Sequence, residues 1–302
     1  HPSIRNRTAF FVHPVFLILC SIPTNSFLYS MYTRFFLCYD ACSERSIPMI
    51  RLILVALFLI LYLILSLPVL LVEWLIGKWN PSLKDKSCKA YVDFAFRCIQ
   101  ALAGVNLIVR GQENIPTDTA VLYVGNHRSY FDVVLSLALF PGVTGYVSKV
   151  EMKKVPILRL WMKNIHCLFL DRNNIKEGLK TILAGVEKVK KGISLCIFPE
   201  GTRNKVNDSF LPFHEGSFKI AEKGGVPVVP MTIVNSAAVF EDHFPKIKKA
   251  TVVIAFDKPI WIKDLDKDTK KRLGSYVGEI ISKRYFSLKD EFFPASCANS
   301  SK

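Results

Sequence analysis

The chain has 302 residues, enough for one α/β domain with a membrane segment or for two small domains. Half of the residues are hydrophobic and mean hydropathy is +0.27, values that direct attention to a membrane element. The net charge of +15 suits nucleic acid, anionic lipid or an acidic carrier, but no run of interleaved arginines and aromatics marks a nucleic-acid groove, so nucleic acid is set aside as a partner in favour of membrane lipid.

Residues 1–48 are aromatic-rich and broken by Pro14 and Pro23. The stretch 8–33 lacks Lys, Arg, Asp and Glu, which allows a membrane helix there, although the prolines and Thr24, Asn25 and Ser26 weaken it. Met49 reads as a natural start, so 1–48 is expected to be an extension outside the functional protein. Residues 52–72 form an uncharged run of 21 residues dominated by Leu, Ile and Val, long enough to cross a hydrocarbon core of roughly 30 Å. Pro68, Trp74 and Trp79 suggest that this helix ends or bends near one face of the bilayer. Arg45 and Arg51 flank one end, and Lys78, Lys84, Lys86 and Lys89 the other. The larger positive count places the C-terminal side in the cytoplasm.

Beyond residue 90 short apolar runs alternate with amphipathic stretches. Strands are predicted at 120–125, 144–148, 165–170, 193–198 and 226–234. The segment 175–191 is predicted to be an amphipathic helix, with Ile175, Leu179, Ile182, Leu183, Val186 and Val189 on one face and lysines opposite. Its apolar side is expected to pack on the sheet, with docking on a bilayer as the minority reading. Leu273, Val277, Ile280 and Ile281 repeat the helical pattern. The fold class that follows is α/β: a central mixed, largely parallel sheet flanked by helices, with an N-terminal hydrophobic membrane helix. The eight cysteines (Cys20, Cys38, Cys42, Cys88, Cys98, Cys167, Cys196 and Cys297) are scattered with no CxxC pair, which suits a reducing compartment and argues against disulfides and zinc.

Two loops carry chemistry. Residues 126–132 (NHRSYFD) follow the first of these predicted strands directly. With His127 in the turn and Asp132 in the first helical turn, the carboxylate can fix the imidazole tautomer and leave the other nitrogen as a general base. No nucleophilic serine elbow accompanies it, so the base would act on the substrate's own hydroxyl. Residues 198–203 (FPEGTR) follow another strand. Gly201 permits close backbone approach, Thr202 offers a hydroxyl and Arg203 a bidentate fork for phosphate. Glu200 is either a second acid/base group or a structural member of the turn. Each loop alone is compatible with an ordinary strand-to-helix connection. Together with Lys149 after 144–148 and Asp171-Arg172 after 165–170, they converge on the carboxyl ends of the strands, where open α/β sheets bind ligands.

These residues resemble the glycerophospholipid acyltransferases, specifically the 1-acylglycerol-3-phosphate acyltransferases. Residues 126–132 match the family's NHxxxxD motif and 198–203 its FPEGTR motif. Asp171-Arg172 looks like its Arg-bearing second motif and residues 226–230 (VPVVP) like its fourth. The resemblance covers about residues 50 to 260. It implies a catalytic His127/Asp132 dyad, and acceptor-phosphate binding around Arg172, Glu200, Gly201 and Arg203. The resulting expectation is acyl transfer from an acyl-CoA or acyl carrier protein thioester to lysophosphatidic acid, without metal or other cofactor. The domain organisation expected is 49–85 as membrane anchor, 86–290 as acyltransferase domain and 291–302 as disordered tail. The setting expected is a membrane, the plasma membrane of a bacterium, with the catalytic domain facing the cytoplasm. The rival readings are the same chemistry on another acceptor, such as glycerol-3-phosphate or a head-group-bearing lysophospholipid, and a non-catalytic module that binds anionic lipid.

Overall fold

The structure, a computed structural model, describes residues 48–294. The expectations for the stretch 8–33, for the extension as far as residue 47 and for the tail beyond 294 lie outside those residues. The long apolar run forms helix α1 (Pro48–Trp79), which continues through Pro68 rather than ending there. A proline removes only its own N–H and crowds one carbonyl. The remaining turns of this Leu- and Ile-rich segment keep their hydrogen bonds, and Ser66 Oγ donates to Leu63 O at 2.7 Å just before it. With a mean hydropathy of 3.0 over its most apolar window, α1 is long and apolar enough to cross a membrane. Ile53, Ile60, Leu65 and Leu71 are among its exposed side chains.

Helix α2 (Pro81–Ala103), not anticipated from the sequence, runs across the expected anchor boundary at residue 85. Asn80 caps it by accepting from Leu83 N, and Gly104 ends it at φ 72°. Its buried residues Cys88, Val92, Ala95, Ile99 and Leu102 follow alternating steps of four and three. α1 packs on α2 through polar clasps as well as apolar contacts. Tyr62 donates to Tyr91 O at 2.6 Å, and Ser87 donates to Glu73 at 2.7 Å. Trp161 stacks on Tyr91 and donates from Nε1 to Ser66 at 2.8 Å.

Among the described residues seven strands form one sheet: β1 (Val105–Arg110), β2 (Leu122–Gly125), β3 (Thr144–Lys149), β4 (Leu168–Leu170), β5 (Ser194–Ile197), β6 (Val228–Val234) and β7 (Ala250–Phe256), in the order β1-β7-β6-β2-β5-β3-β4. Strands β2 to β6 are mutually parallel. β7 is antiparallel to β6 and pairs in parallel with β1. The sheet is therefore mixed and largely parallel, flanked by helices, and its two antiparallel-running members are the strands that the sequence pattern did not reveal. The predicted strand at 165 begins only at Leu168. Helix α4 (Pro156–Asn164) claims the preceding residues, with Ile165 N bonded to Trp161 O and Cys167 N to Met162 O, while His166 turns the chain at φ 62°.

Side-chain alternation sorts the two faces. Leu122, Val124, Leu195, Ile197 and Val228 point to one core, shared with α5 (Ile175–Lys190), α6 (Lys219–Gly224) and α8 (Leu273–Phe292). Tyr123 points the other way and stacks on Phe140, after helix α3 (Phe131–Leu137). A short helix α7 (Lys267–Lys271) leads into α8, which extends to Phe292 and so into the segment expected to be a tail. In α5 the predicted apolar face divides. Val186 and Val189 are buried, whereas Ile175, Leu179 and Leu183 are exposed. At 100° per residue Leu183 lies roughly 60° from Val186, on the flank of the seam that meets the sheet, whereas Ile175 lies within roughly 20° of Val186 and is exposed as the first residue of the helix. Among the described residues Cys88, Cys98, Cys167 and Cys196 are buried free thiols.

Candidate active site

The parallel strands deliver their carboxyl ends to one rim, and β2 lies there between β5 and β6. Asn126, the first residue after β2, extends the sheet with its side chain. It donates from Nδ2 to Ile233 O and accepts from Ile233 N, both at 2.8 Å. That pairing with β6 aims the chain out of the sheet at His127. The His127 backbone is then clamped on both sides. Its N–H donates to Glu200 Oε1 at 2.8 Å, and its carbonyl accepts from Asn204 N at 2.8 Å. The imidazole stacks on Phe198, with centroids 4.3 Å apart and planes 12° from parallel.

Asp132 lies in the first turn of α3, fully buried, and its Oδ2 meets His127 Nδ1 at 2.8 Å. The same oxygen accepts from Arg128 N at 2.7 Å and Ser129 N at 2.8 Å. A carboxylate oxygen that only accepts leaves the proton on Nδ1, so the Nε2 lone pair is available. Among the described residues no hydrogen bond occupies Nε2, and the ring is 19% exposed. The arrangement is thus an oriented base opening to the rim.

The 198–203 turn brackets this base. Gly201 has φ 75°, and a Cβ there would lie 2.7 Å from Arg172 Nη1 and 3.4 Å from His214 Cδ2. Arg172 therefore lies directly over Gly201. Partial burial lowers its pKa, an effect that Glu151 opposes. Arg203 takes other partners: Nη1 is 3.1 Å from Glu241 Oε1, and its guanidinium carbon sits 3.7 Å over the Tyr130 ring. Thr202 and Lys149 are exposed, and among the described residues neither side chain makes a hydrogen bond. Glu200, expected at the acceptor site, instead turns inward. It is 4% exposed, and its second oxygen accepts from Leu211 N at 3.3 Å. Burial raises its pKa, and the two backbone N–H donors oppose that shift. It braces the His127 backbone. The VPVVP segment leads into β6, which is buried throughout. Pro230 falls between the bridge from Val228 to Ile260 and the start of β7 pairing at Met231. His166 is held elsewhere, 2.9 Å from Asp85. Among the described residues no group of three or more His, Cys, Asp or Glu side chains could hold a metal ion.

A family model described as Acyltransferase matches residues 106–234, from β1 to the end of β6. A 1-acyl-sn-glycerol-3-phosphate acyltransferase of Helicobacter pylori is 30% identical over 195 residues, which cover 62% of this chain and 81% of that protein. The chain belongs to the 1-acyl-sn-glycerol-3-phosphate acyltransferase family. The enzyme of the same name from Saccharomyces cerevisiae is 28% identical over 197 residues, covering 65% of this chain and 64% of the yeast protein. In fold, the chain is similar to the crystal structure of the 1-acyl-sn-glycerophosphate (LPA) acyltransferase PlsC from Thermotoga maritima. The TM-score is 0.69 at 21% identity, over 80% of this chain and 97% of that one.

Within this member of the acyltransferase family, three contributors to the site had no role assigned from sequence. Asn126 opens the first motif and Asn204 directly follows the second, which was the available signal. Glu241 is 38 residues from Arg203 with no local pattern around it, so only the fold reveals it. The contact at Gly201 gives a first prediction. Gly201→Ala should cost about 1–2 kcal/mol from the left-handed backbone alone and displace Arg172, raising the acceptor KM. Gly216→Ala, which meets open space, is the control. Melting curves and steady-state kinetics on both variants check this. An unchanged Gly201→Ala enzyme would remove Arg172 from the site.

Proposed function

We propose that the chain transfers a fatty acyl group from an acyl thioester to the free hydroxyl of 1-acyl-sn-glycerol-3-phosphate, giving phosphatidic acid. The observation that carries this reading is the buried Asp132 bonded to His127 Nδ1, with Nε2 unoccupied at a rim that also bears Arg172 and Arg203. His127 Nε2 takes the hydroxyl proton as the acceptor oxygen attacks the thioester carbonyl. The new O–C bond forms, the C–S bond breaks, and the imidazolium returns the proton to the departing thiolate. Asp132 holds the ring and offsets the imidazolium charge. The step uses no acyl-enzyme, metal or cofactor.

Arg172, Arg203 and Lys149 supply positive charge for the acceptor phosphate, and the +15 net charge suits either anionic donor, acyl-CoA or acyl carrier protein. Helix α1, long and apolar enough to cross a membrane, supports a membrane setting for the reaction, and the lysines after it favour a cytoplasmic side for the domain. A bacterial plasma membrane is one such setting.

The testing experiment is Arg203→Lys. A guanidinium fork grips phosphate through two parallel bonds, whereas an ammonium offers a point charge. Loss of a charged hydrogen bond costs about 1.5–3 kcal/mol, roughly 10- to 100-fold in affinity. The acceptor KM should rise by that order, the donor KM should hold, and preference for lysophosphatidate over monoacylglycerol should narrow. A wild-type enzyme that acylates monoacylglycerol equally well would overturn the acceptor assignment.

A further inference from the structure

We infer that Glu241 is a positioning residue for the acceptor, acting through Arg203. The inference rests on the reading that Arg203 holds the acceptor phosphate. A carboxylate beside an anion-binding arginine opposes the ligand by its charge, so its placement calls for a compensating effect. The geometry supplies one. Glu241 lies beyond β6, in the 3-10 turn Glu241–His243, and donors from the His127 loop hold both of its oxygens. Oε2 accepts from Ser129 Oγ at 2.6 Å, and Oε1 accepts from Tyr130 N at 2.8 Å. Ser129 Oγ is itself fixed, accepting from Phe131 N at 2.9 Å. The carboxylate is thus a rigid post before Arg203 reaches it.

Arg203 leans on that post with Nη1 at 3.1 Å and lays one face on Tyr130 at 3.7 Å. One edge and one face of the guanidinium are then fixed. An arginine has five N–H donors, so the remaining edge keeps a fork for two phosphate oxygens. The pair is 30% and 20% exposed, within reach of solvent and ligand yet partly shielded from it. Arg203 belongs to the β5 side of the rim, while Ser129 and Tyr130 follow β2 beside His127. Glu241 therefore sets the distance between the phosphate-gripping fork and the base that takes the hydroxyl proton.

Steady-state kinetics on the full chain in detergent test this, with lysophosphatidate and monoacylglycerol as acceptors and whichever of acyl-CoA or acyl carrier protein supports the wild type. Glu241→Ala should raise the lysophosphatidate KM roughly 5- to 30-fold, as expected for residues coupled in one network. It should leave the donor KM unchanged and narrow the preference for the phosphate-bearing acceptor. In an Arg203→Ala background, Glu241→Ala should add nothing further to that KM. Should Glu241→Ala fail to fold, Glu241→Gln keeps the volume and an acceptor oxygen and carries the same comparison, with a smaller rise expected.

A fall in kcat shared by both acceptors with an unchanged acceptor KM would overturn the inference, leaving Glu241 as a brace for the Ser129–Tyr130 turn. A lower lysophosphatidate KM would also overturn it, making Glu241 a competitor for Arg203. So would full additivity with Arg203→Ala. If Arg203→Ala alone leaves the lysophosphatidate KM unchanged, the phosphate reading itself fails. If Arg203→Ala raises that KM and the Glu241 variants do not, the phosphate reading stands and only the inference falls.

Discussion

Replacing His127 with alanine should reduce acyl transfer about 10²- to 10⁴-fold, the range that a positioned general base contributes, while the fold persists. The structure separates these two effects. The bonds that shape the loop are made by the His127 backbone, to Glu200 and Asn204, and survive the loss of the ring. Asp132 Oδ2 keeps the Arg128 and Ser129 amides. What the fold loses is the stack on Phe198, worth about 1 kcal/mol, and the Nδ1 donor to the buried Asp132 carboxylate, worth about 1.5–3 kcal/mol. Thiol release from the donor, measured at saturating acceptor alongside a melting curve, checks this. A variant that melts near wild type yet retains turnover within a few-fold of it would remove His127 from the proton transfer.

Asp132→Asn should cost a comparable factor by a different route. The side chain is fully buried, and its Oδ2 gathers three donors from His127, Arg128 and Ser129. An asparagine can place its carbonyl oxygen there and keep all three bonds, so the loop should hold its shape. Its amide nitrogen then falls on the Oδ1 side, where no partner exists among the described residues, at a cost of about 1–3 kcal/mol in stability. The charge that offsets the imidazolium is gone, and the alternative amide orientation would drive His127 into the wrong tautomer. Turnover should fall about 10²- to 10⁴-fold with the acceptor KM nearly unchanged. If the change chiefly raises the acceptor KM, Asp132 serves binding and the dyad assignment is wrong.

The sequence by itself determined the elements whose physics is local. An uncharged, Leu- and Ile-rich run of 21 residues can bury or span apolar surroundings only if its backbone is hydrogen-bonded within itself, as a helix does, so α1 was legible. The short apolar runs at 120–125 and 193–198 could be read as buried strands because both of their faces are covered. The pairing of His127 with Asp132 was legible because five residues and one turn suffice to bring them together.

Only the tertiary structure decided the rest. β1 is half exposed and separated from α2 by Gly104 alone, so its strand character comes from pairing with β7, far along the chain. Glu200 carries the charge of a candidate acid/base group, but the closure of β5 beside β2 turns it inward onto the His127 and Leu211 amides. Arg203 reads as a free phosphate ligand, yet β6 brings Glu241 to its edge and β2 brings Tyr130 to its face. A residue's type announces what it can bond. Which partner it meets depends on strand order, and in a parallel sheet neighbouring strands are separated by whole crossover connections.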